Sequence, residues 1–192
     1  MQRVSRKLGG MTRPRAAPRV LLLTGEPGVG KTTVLCRVHE RLAATSSTGF
    51  LTEEVRVGGK RRGFRAVPFR GGPTTTIADV DRPGEPRVGR YGVDVEAIDR
   101  LVEETLEVDD PAGLCIVDEI GKMECLSERF VDAMRRILHS ERVVLATVAL
   151  RAPGFPDEVR GLPDVALWQV TGANRGTLPD RILDWLRLHG LR

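Results

Sequence analysis

At 192 residues, with 41% hydrophobic and 29% charged residues, the chain has the size and composition of one globular domain with a full core. No apolar run approaches the roughly 18 residues of a membrane helix, and the first 19 residues lack the apolar stretch of a secretory signal. The formal charge of +4 is uneven: six of the 30 basic residues (Arg3, Arg6, Lys7, Arg13, Arg15 and Arg19) and no acid fall in residues 1–20, which leaves 24 basic against 26 acidic residues elsewhere and argues against a nucleic-acid partner for the domain.

Residues 1–18 read as a disordered basic leader and residues 19–192 as one domain. Two other readings of the leader are an upstream start, with Met11 as the functional first residue, and an organelle-targeting peptide, since the segment is Arg-rich and acid-free. It has no convincing apolar face, which counts against targeting. Cys36, Cys115 and Cys125 are odd in number and form no C-x-x-C pair. That fits a reducing cytosol, the expected location, and argues against a disulfide framework or a zinc site. His39, His139 and His189 lack metal-ligand spacing.

The first predicted element is a strand over 19–24. It runs into Gly25-Glu26-Pro27-Gly28-Val29-Gly30-Lys31-Thr32, and a helix is predicted over 31–43. The octet reads G-x-x-x-x-G-K-T, the phosphate-binding loop (P-loop) of nucleoside-triphosphate enzymes. The physics needs this order of strand, loop and helix. Glycines let backbone N–H groups turn toward phosphate oxygens. The helix start adds unpaired N–H groups and the positive end of its dipole. Lys31 is expected to reach the β- and γ-phosphates as a catalytic cation, and the Thr32 hydroxyl to reach Mg²⁺. Glu26, Pro27, Val29 and Thr33 complete the predicted nucleotide-binding stretch.

Phe50–Val57 and Phe64–Phe69 read as strands turned by Gly58-Gly59, a β-hairpin after the first helix. Arg56, Lys60, Arg61, Arg62 and Arg65 make the hairpin basic. A solvated rim is the favoured reading, because Glu53 and Glu54 dilute the charge and stacking aromatics are few. Residues 71–92 are rich in Gly, Pro and Thr and are expected to be mostly loop, with a short strand at Thr75–Ala78. Asp94 is predicted to cap a helix running to Leu106, ended by Asp109-Asp110-Pro111. Leu114–Val117 is a continuous apolar strand, as in a sheet buried on both faces. Ser127 is expected to cap a helix to His139, with Phe130, Met134, Ile137 and Leu138 on one side. Further strands are predicted at Arg142–Val148 and Ala166–Thr171, and a last helix at Leu178–Leu188. The alternation predicts an α/β fold, a mostly parallel sheet sandwiched by helices.

Asp118-Glu119 follows the strand 114–117 at its carboxyl end, the edge where ligands bind in open α/β sheets. The P-loop also follows a strand's carboxyl end, so the two converge on one crevice. Asp118 is expected to hold Mg²⁺ together with Thr32. Glu119 is the candidate to orient and deprotonate the attacking water. Lys122 either neutralises charge developing on the transferred phosphoryl group or pairs with Glu124 on the surface. Arg175 stacks on the nucleobase, contacts phosphate, or is a surface charge before the last helix.

The run Val117-Asp118-Glu119-Ile120-Gly121-Lys122-Met123-Glu124 resembles the "DEIGKME" signature of a nucleoside-triphosphatase family that spans thermophilic and vertebrate members. Three other segments agree in order: Gly49-Phe50-Leu51-Thr52-Glu53-Glu54-Val55-Arg56 with Gly58-Gly59 and Arg62-Gly63-Phe64; Val88-Gly89-Arg90-Tyr91; and Val170-Thr171 with Asn174-Arg175. Together they cover nearly the whole domain. The resemblance implies a RecA-like P-loop fold and Mg²⁺-dependent hydrolysis of ATP, GTP, CTP and UTP to the diphosphate and phosphate, with broad base tolerance. One departure is Ala173, where the family usually has an acid before the Asn-Arg pair. A monomer is the favoured state. The alternatives are a nucleotide or small-molecule kinase, and a nucleotide-dependent switch that binds RNA or protein.

Overall fold

Among the residues described by the computed structural model (17–42, 47–107 and 113–191), nine strands share one sheet. They are β1 (Val20–Thr24), β2 (Ser47–Val57), β3 (Lys60–Pro68), β4 (Thr75–Asp79), β5 (Arg87–Val88), β6 (Tyr91–Val93), β7 (Leu114–Ile120), β8 (Val143–Val148) and β9 (Val165–Gln169). Their spatial order is β5-β6-β4-β3-β2-β7-β8-β1-β9. From β2 to β9 every pairing is parallel. From β2 outward to β5 every pairing is antiparallel. The parallel arrangement predicted from the strand–helix alternation thus describes the half that carries the P-loop. The hairpin β2–β3 continues into an antiparallel wing. The wing includes β5 and β6, strands too short to leave a periodic signal within the stretch expected to be loop.

Among the described residues five α-helices accompany the sheet: α1 (Lys31–Arg41), α2 (Val95–Thr105), α3 (Glu128–Leu138), α4 (Phe155–Arg160) and α5 (Leu178–Leu188). Period-2 alternation along β1 splits the core in two. Val20 and Leu22 join α2, α3 and α4 on one face, through Ile98, Leu101, Phe130, Met134 and Val159. Leu21 and Leu23 join α1 and α5 on the other, through Leu35, Val38, Ile182 and Leu186. The two predicted caps form: Asp94 accepts from Ala97 N–H at 3.0 Å and Ser127 from Phe130 N–H at 2.9 Å. α4 is a six-residue helix that no apolar period foretold. All but the last two residues of the predicted leader, the last residue of the first predicted helix and the stop at Asp109-Asp110-Pro111 lie outside the described residues.

The basic hairpin is neutralised where it stands. Arg56 and Arg61 both pair with Glu54, Arg62 pairs with Asp79 and Asp81, and Arg65 pairs with Glu53. Four of its five cations therefore already hold carboxylates.

Candidate active site

β1 ends at Thr24 and the chain turns at once. A Cβ on Gly25 would lie 2.6 Å from the Val170 carbonyl oxygen, so only glycine fits there. Gly28 and Gly30 then adopt positive φ, 75° and 109°, and Gly30 stands at the start of α1 without any side-chain cap. The first N–H groups of α1 are thereby left for an anion. Lys31 opens the helix and is buried; its ammonium donates to the Gly25 carbonyl at 3.2 Å, folding back over the loop. Thr32 is half-buried, and Glu26, Pro27, Gly28 and Thr33 are exposed.

The strand that carries Asp118 is not the neighbour of β1, because β8 lies between them. Leu23 of β1 faces Thr147 of β8. On the other side of β8, Val117 pairs with Ala146 and Ile120 with Val148, so Asp118 and Glu119 together stand opposite Thr147 alone. Two residues against one is a β-bulge, and a bulge re-aims side chains that a regular strand would send to opposite faces. Both carboxylates come within electrostatic reach of Lys31. β7 accordingly runs three residues beyond the apolar segment visible in the sequence, through Asp118 and Glu119 to Ile120.

Asp118 is buried, with 2% exposure. Its Oδ1 accepts from the Thr147 hydroxyl at 2.6 Å, the Thr32 hydroxyl also donates to it, and the Thr52 backbone N–H supports it. The Thr52 hydroxyl donates to the Asp118 carbonyl. Burial pushes the Asp118 carboxyl above the usual carboxylate range, and the Thr147 and Thr32 hydrogen bonds and the Lys31 charge pull it back. Glu119 keeps a third of its side chain exposed, and its Oε2 lies 3.8 Å from the Lys31 ammonium. Burial raises its proton affinity too, opposed by Lys31 and reinforced by Asp118.

Arg175 crosses over the P-loop. Its guanidinium donates to the Val29 carbonyl at 3.3 Å, and its side chain packs against Gly30. Asn174 fixes the turn beneath it, accepting from Thr171 N–H at 2.8 Å and donating to the Gln169 carbonyl at 2.8 Å. Arg175 is therefore brought to the P-loop with Lys31, Thr32, Asp118 and Glu119. Lys122 is not: it is exposed, and no contact ties it to these groups. The surface pair with Glu124 does not form either, because Glu124 is buried in the one-turn 3₁₀ helix Glu124–Leu126. The turn that carries Glu124 folds inward.

Of the residues that shape the site, Thr147 went unread in the sequence and Asn174 was given no role of its own. Thr147 left a signal, the lone polar residue near the carboxyl end of an otherwise apolar strand. Asn174 left one only as a member of the Asn-Arg pair.

A family model described as an NTPase matches residues 20–183. The nucleoside-triphosphatase THEP1 of Thermotoga maritima is 36% identical over 170 residues, 88% of this chain and 96% of that protein. The cancer-related nucleoside-triphosphatase of Homo sapiens is 38% identical over 178 residues, 84% of this chain and 94% of that protein. The crystal structure of THEP1 from Aquifex aeolicus superposes with a TM-score of 0.79 at 37% identity, covering 86% of this chain and 98% of that one. The solution structure of the human protein gives 0.75 at 35% identity, covering 88% and 97%. With its P-loop, its bulged acidic strand end and these matches along nearly its full length, the chain belongs to this NTPase family.

Proposed function

We propose that this chain is a Mg²⁺-dependent nucleoside-triphosphatase that releases phosphate from ATP, GTP, CTP and UTP with little preference among them. The observation that carries the reading is the convergence of Lys31, Thr32, Asp118 and Glu119 on the start of α1. The loop N–H groups and Lys31 bind phosphate oxygens. Thr32 and Asp118 are hard oxygen donors already aligned by a hydrogen bond, a set that suits Mg²⁺. They are the residues that would hold the ion, which when bound neutralises phosphate charge. Glu119 takes a proton from water at its carboxylate as the water oxygen attacks the γ-phosphorus and the bond to the diphosphate breaks, a role supported by its closeness to Lys31. Its raised proton affinity makes it a better acceptor than an exposed glutamate. Arg175 holds charge over the loop and presents a planar face, which is tolerant of any base. Lys122 has no contact that supports a catalytic role for it.

The direct test is phosphate release from each of the four triphosphates with no acceptor present, with Mg²⁺ and with excess chelator. Glu119→Gln is run alongside and is expected to slow turnover by about 10²-fold with nucleotide binding retained. Phosphate release that needs an added alcohol acceptor would point to a kinase instead. Turnover indifferent to the chelator would remove Mg²⁺ from the reading.

A further inference from the structure

Glu124 is a buried acid that the chemistry above does not use. It lies five residues past Glu119, in the 3₁₀ turn, with 5% exposure. Its carboxyl folds back toward the strand end. The backbone N–H groups of Gly121 and of Glu124 itself donate to it. The turn is closed in the same direction by Cys125 N–H to the Gly121 carbonyl at 3.1 Å. Gly121 shows how close the two acids come. A Cβ at that position would stand 2.9 Å from Glu124 Oε2 and 3.3 Å from Glu119 Oε1, so both carboxyls border the one small space that the glycine leaves open.

A structural role alone does not account for an acid here. Glutamine has the same length and accepts the same N–H groups through its carbonyl oxygen. It would do so without placing a third carboxyl beside Asp118 and Glu119. What an acid adds over glutamine is an O–H donor to an adjacent carboxylate, shorter and stronger than a neutral amide N–H. Burial first, then Glu119 and Asp118, push Glu124 up to about 8, so it is neutral at pH 7. The other groups around the turn do not supply a competing charge. Asp99 of α2 is held by the Ser127 hydroxyl and lies near Arg129 of α3, and the half-buried Cys125 thiol is pushed up to about 12 and stays neutral. Lys31 acts on Glu119 and Asp118 and is not among the groups that shift Glu124.

We propose that Glu124 is a positioning residue for the reaction: its carboxyl, set across Gly121 from Glu119, donates to the Glu119 carboxylate and fixes it toward the P-loop. The inference rests on the reading of Glu119 as the base. It assigns Glu124 no contact with nucleotide.

The test measures kcat and KM for ATP from pH 6 to pH 10 in Glu124→Ala, Glu124→Gln and the parent protein. Glu124→Ala frees the Glu119 carboxylate and is expected to lower kcat by about 10²-fold, the scale of a mispositioned reacting group, with KM little changed. Glu124→Gln restores a weaker donor through its amide N–H groups and is expected to recover part of that loss. The decisive readout is the alkaline limb. The parent loses kcat above about pH 8 as Glu124 gives up its proton and its donor, whereas Glu124→Gln keeps its donor and shows no such fall. An alkaline limb unchanged in Glu124→Gln overturns the proposal, as does a Glu124→Ala variant with parental kcat. If Glu124→Ala does not fold, the glutamine variant alone still decides. Glu119→Gln separates the two readings: turnover that survives it removes Glu119 as the base and this inference with it, while turnover lost in Glu119→Gln but indifferent to both Glu124 variants overturns the positioning role only.

Discussion

Glu124→Gln should change the stability of the protein in a pH-dependent way, quite apart from activity. The carboxyl has an ordinary value of 4.5 in the unfolded chain and about 8 in the folded one. Below about pH 4.5 both states carry the proton, and the group adds no pH dependence. Between 4.5 and 8 the unfolded chain releases its proton while the folded one keeps it, so folding loses stability as pH rises. Above about 8 both are ionised and the loss is complete. Each tenfold change in proton affinity is about 1.4 kcal/mol, so the full span is on the order of 5 kcal/mol, a large fraction of a domain's stability. Glutamine does not titrate, and the other ionisable groups are common to both proteins. The difference in unfolding free energy, Glu124→Gln minus parent, should therefore rise by several kcal/mol from pH 5 to pH 9. Urea unfolding followed by circular dichroism at each pH measures it, with m-values checked for constancy. A difference that stays within about 1 kcal/mol across that range would refute a buried, proton-retaining Glu124.

Lys31→Ala should abolish hydrolysis and weaken triphosphate binding, measured by phosphate release and by titration with a non-hydrolysable nucleotide; near-normal turnover in the folded variant would remove Lys31 from the site. Thr147→Val deletes the 2.6 Å hydrogen bond that orients Asp118 and should weaken the apparent affinity for Mg²⁺ by about 10-fold or more while leaving the fold intact, read from the metal dependence of kcat; an unchanged metal dependence would sever Asp118 from the ion. Arg175→Ala should weaken binding of all four triphosphates to a similar extent, and a loss confined to one base would make Arg175 a base reader instead.

The framework was legible because its signals are local. β1, the P-loop and α1 follow one another within 22 residues, and each part has its own pattern in apolar run, glycine spacing and helix period. Asp94 and Ser127 marked their helices because a cap needs one short polar side chain at one position. What the sequence hid depends on pairing. The bulge at Asp118-Glu119 exists only in the register of β7 against β8, and that register is set by residues far away in the chain. The inward fold of Glu124 was hidden for a related reason. Its neighbours Lys122 and Leu126 are exposed, and the residue type alone favours the surface. The antiparallel wing was missed where β5 and β6 offer two and three residues, too few for any period to show.

Strand order explains why this site needs β8 as much as the two strands that bear its motifs. In the sheet, β8 separates the P-loop strand from the acidic strand, so Lys31 and Asp118 cannot be set by direct pairing of β1 with β7. Their relative position is transmitted through two registers, Leu23 with Thr147 and Val117 with Ala146. Thr147 sits at the junction, fully buried, with its backbone fixed by β1 and its hydroxyl on Asp118. Burying Asp118, Glu124 and most of Glu119 near this strand end opposes folding, since each must be desolvated and, among the described residues, Lys31 is the cation that acts on Asp118 and Glu119. The two apolar faces of the parallel half offset that cost, with Leu21, Leu22, Leu23, Ile116, Val117, Leu145 and Ala146 completely buried. The parallel half of the sheet thus holds an unfavourable cluster of acids in place beside the P-loop.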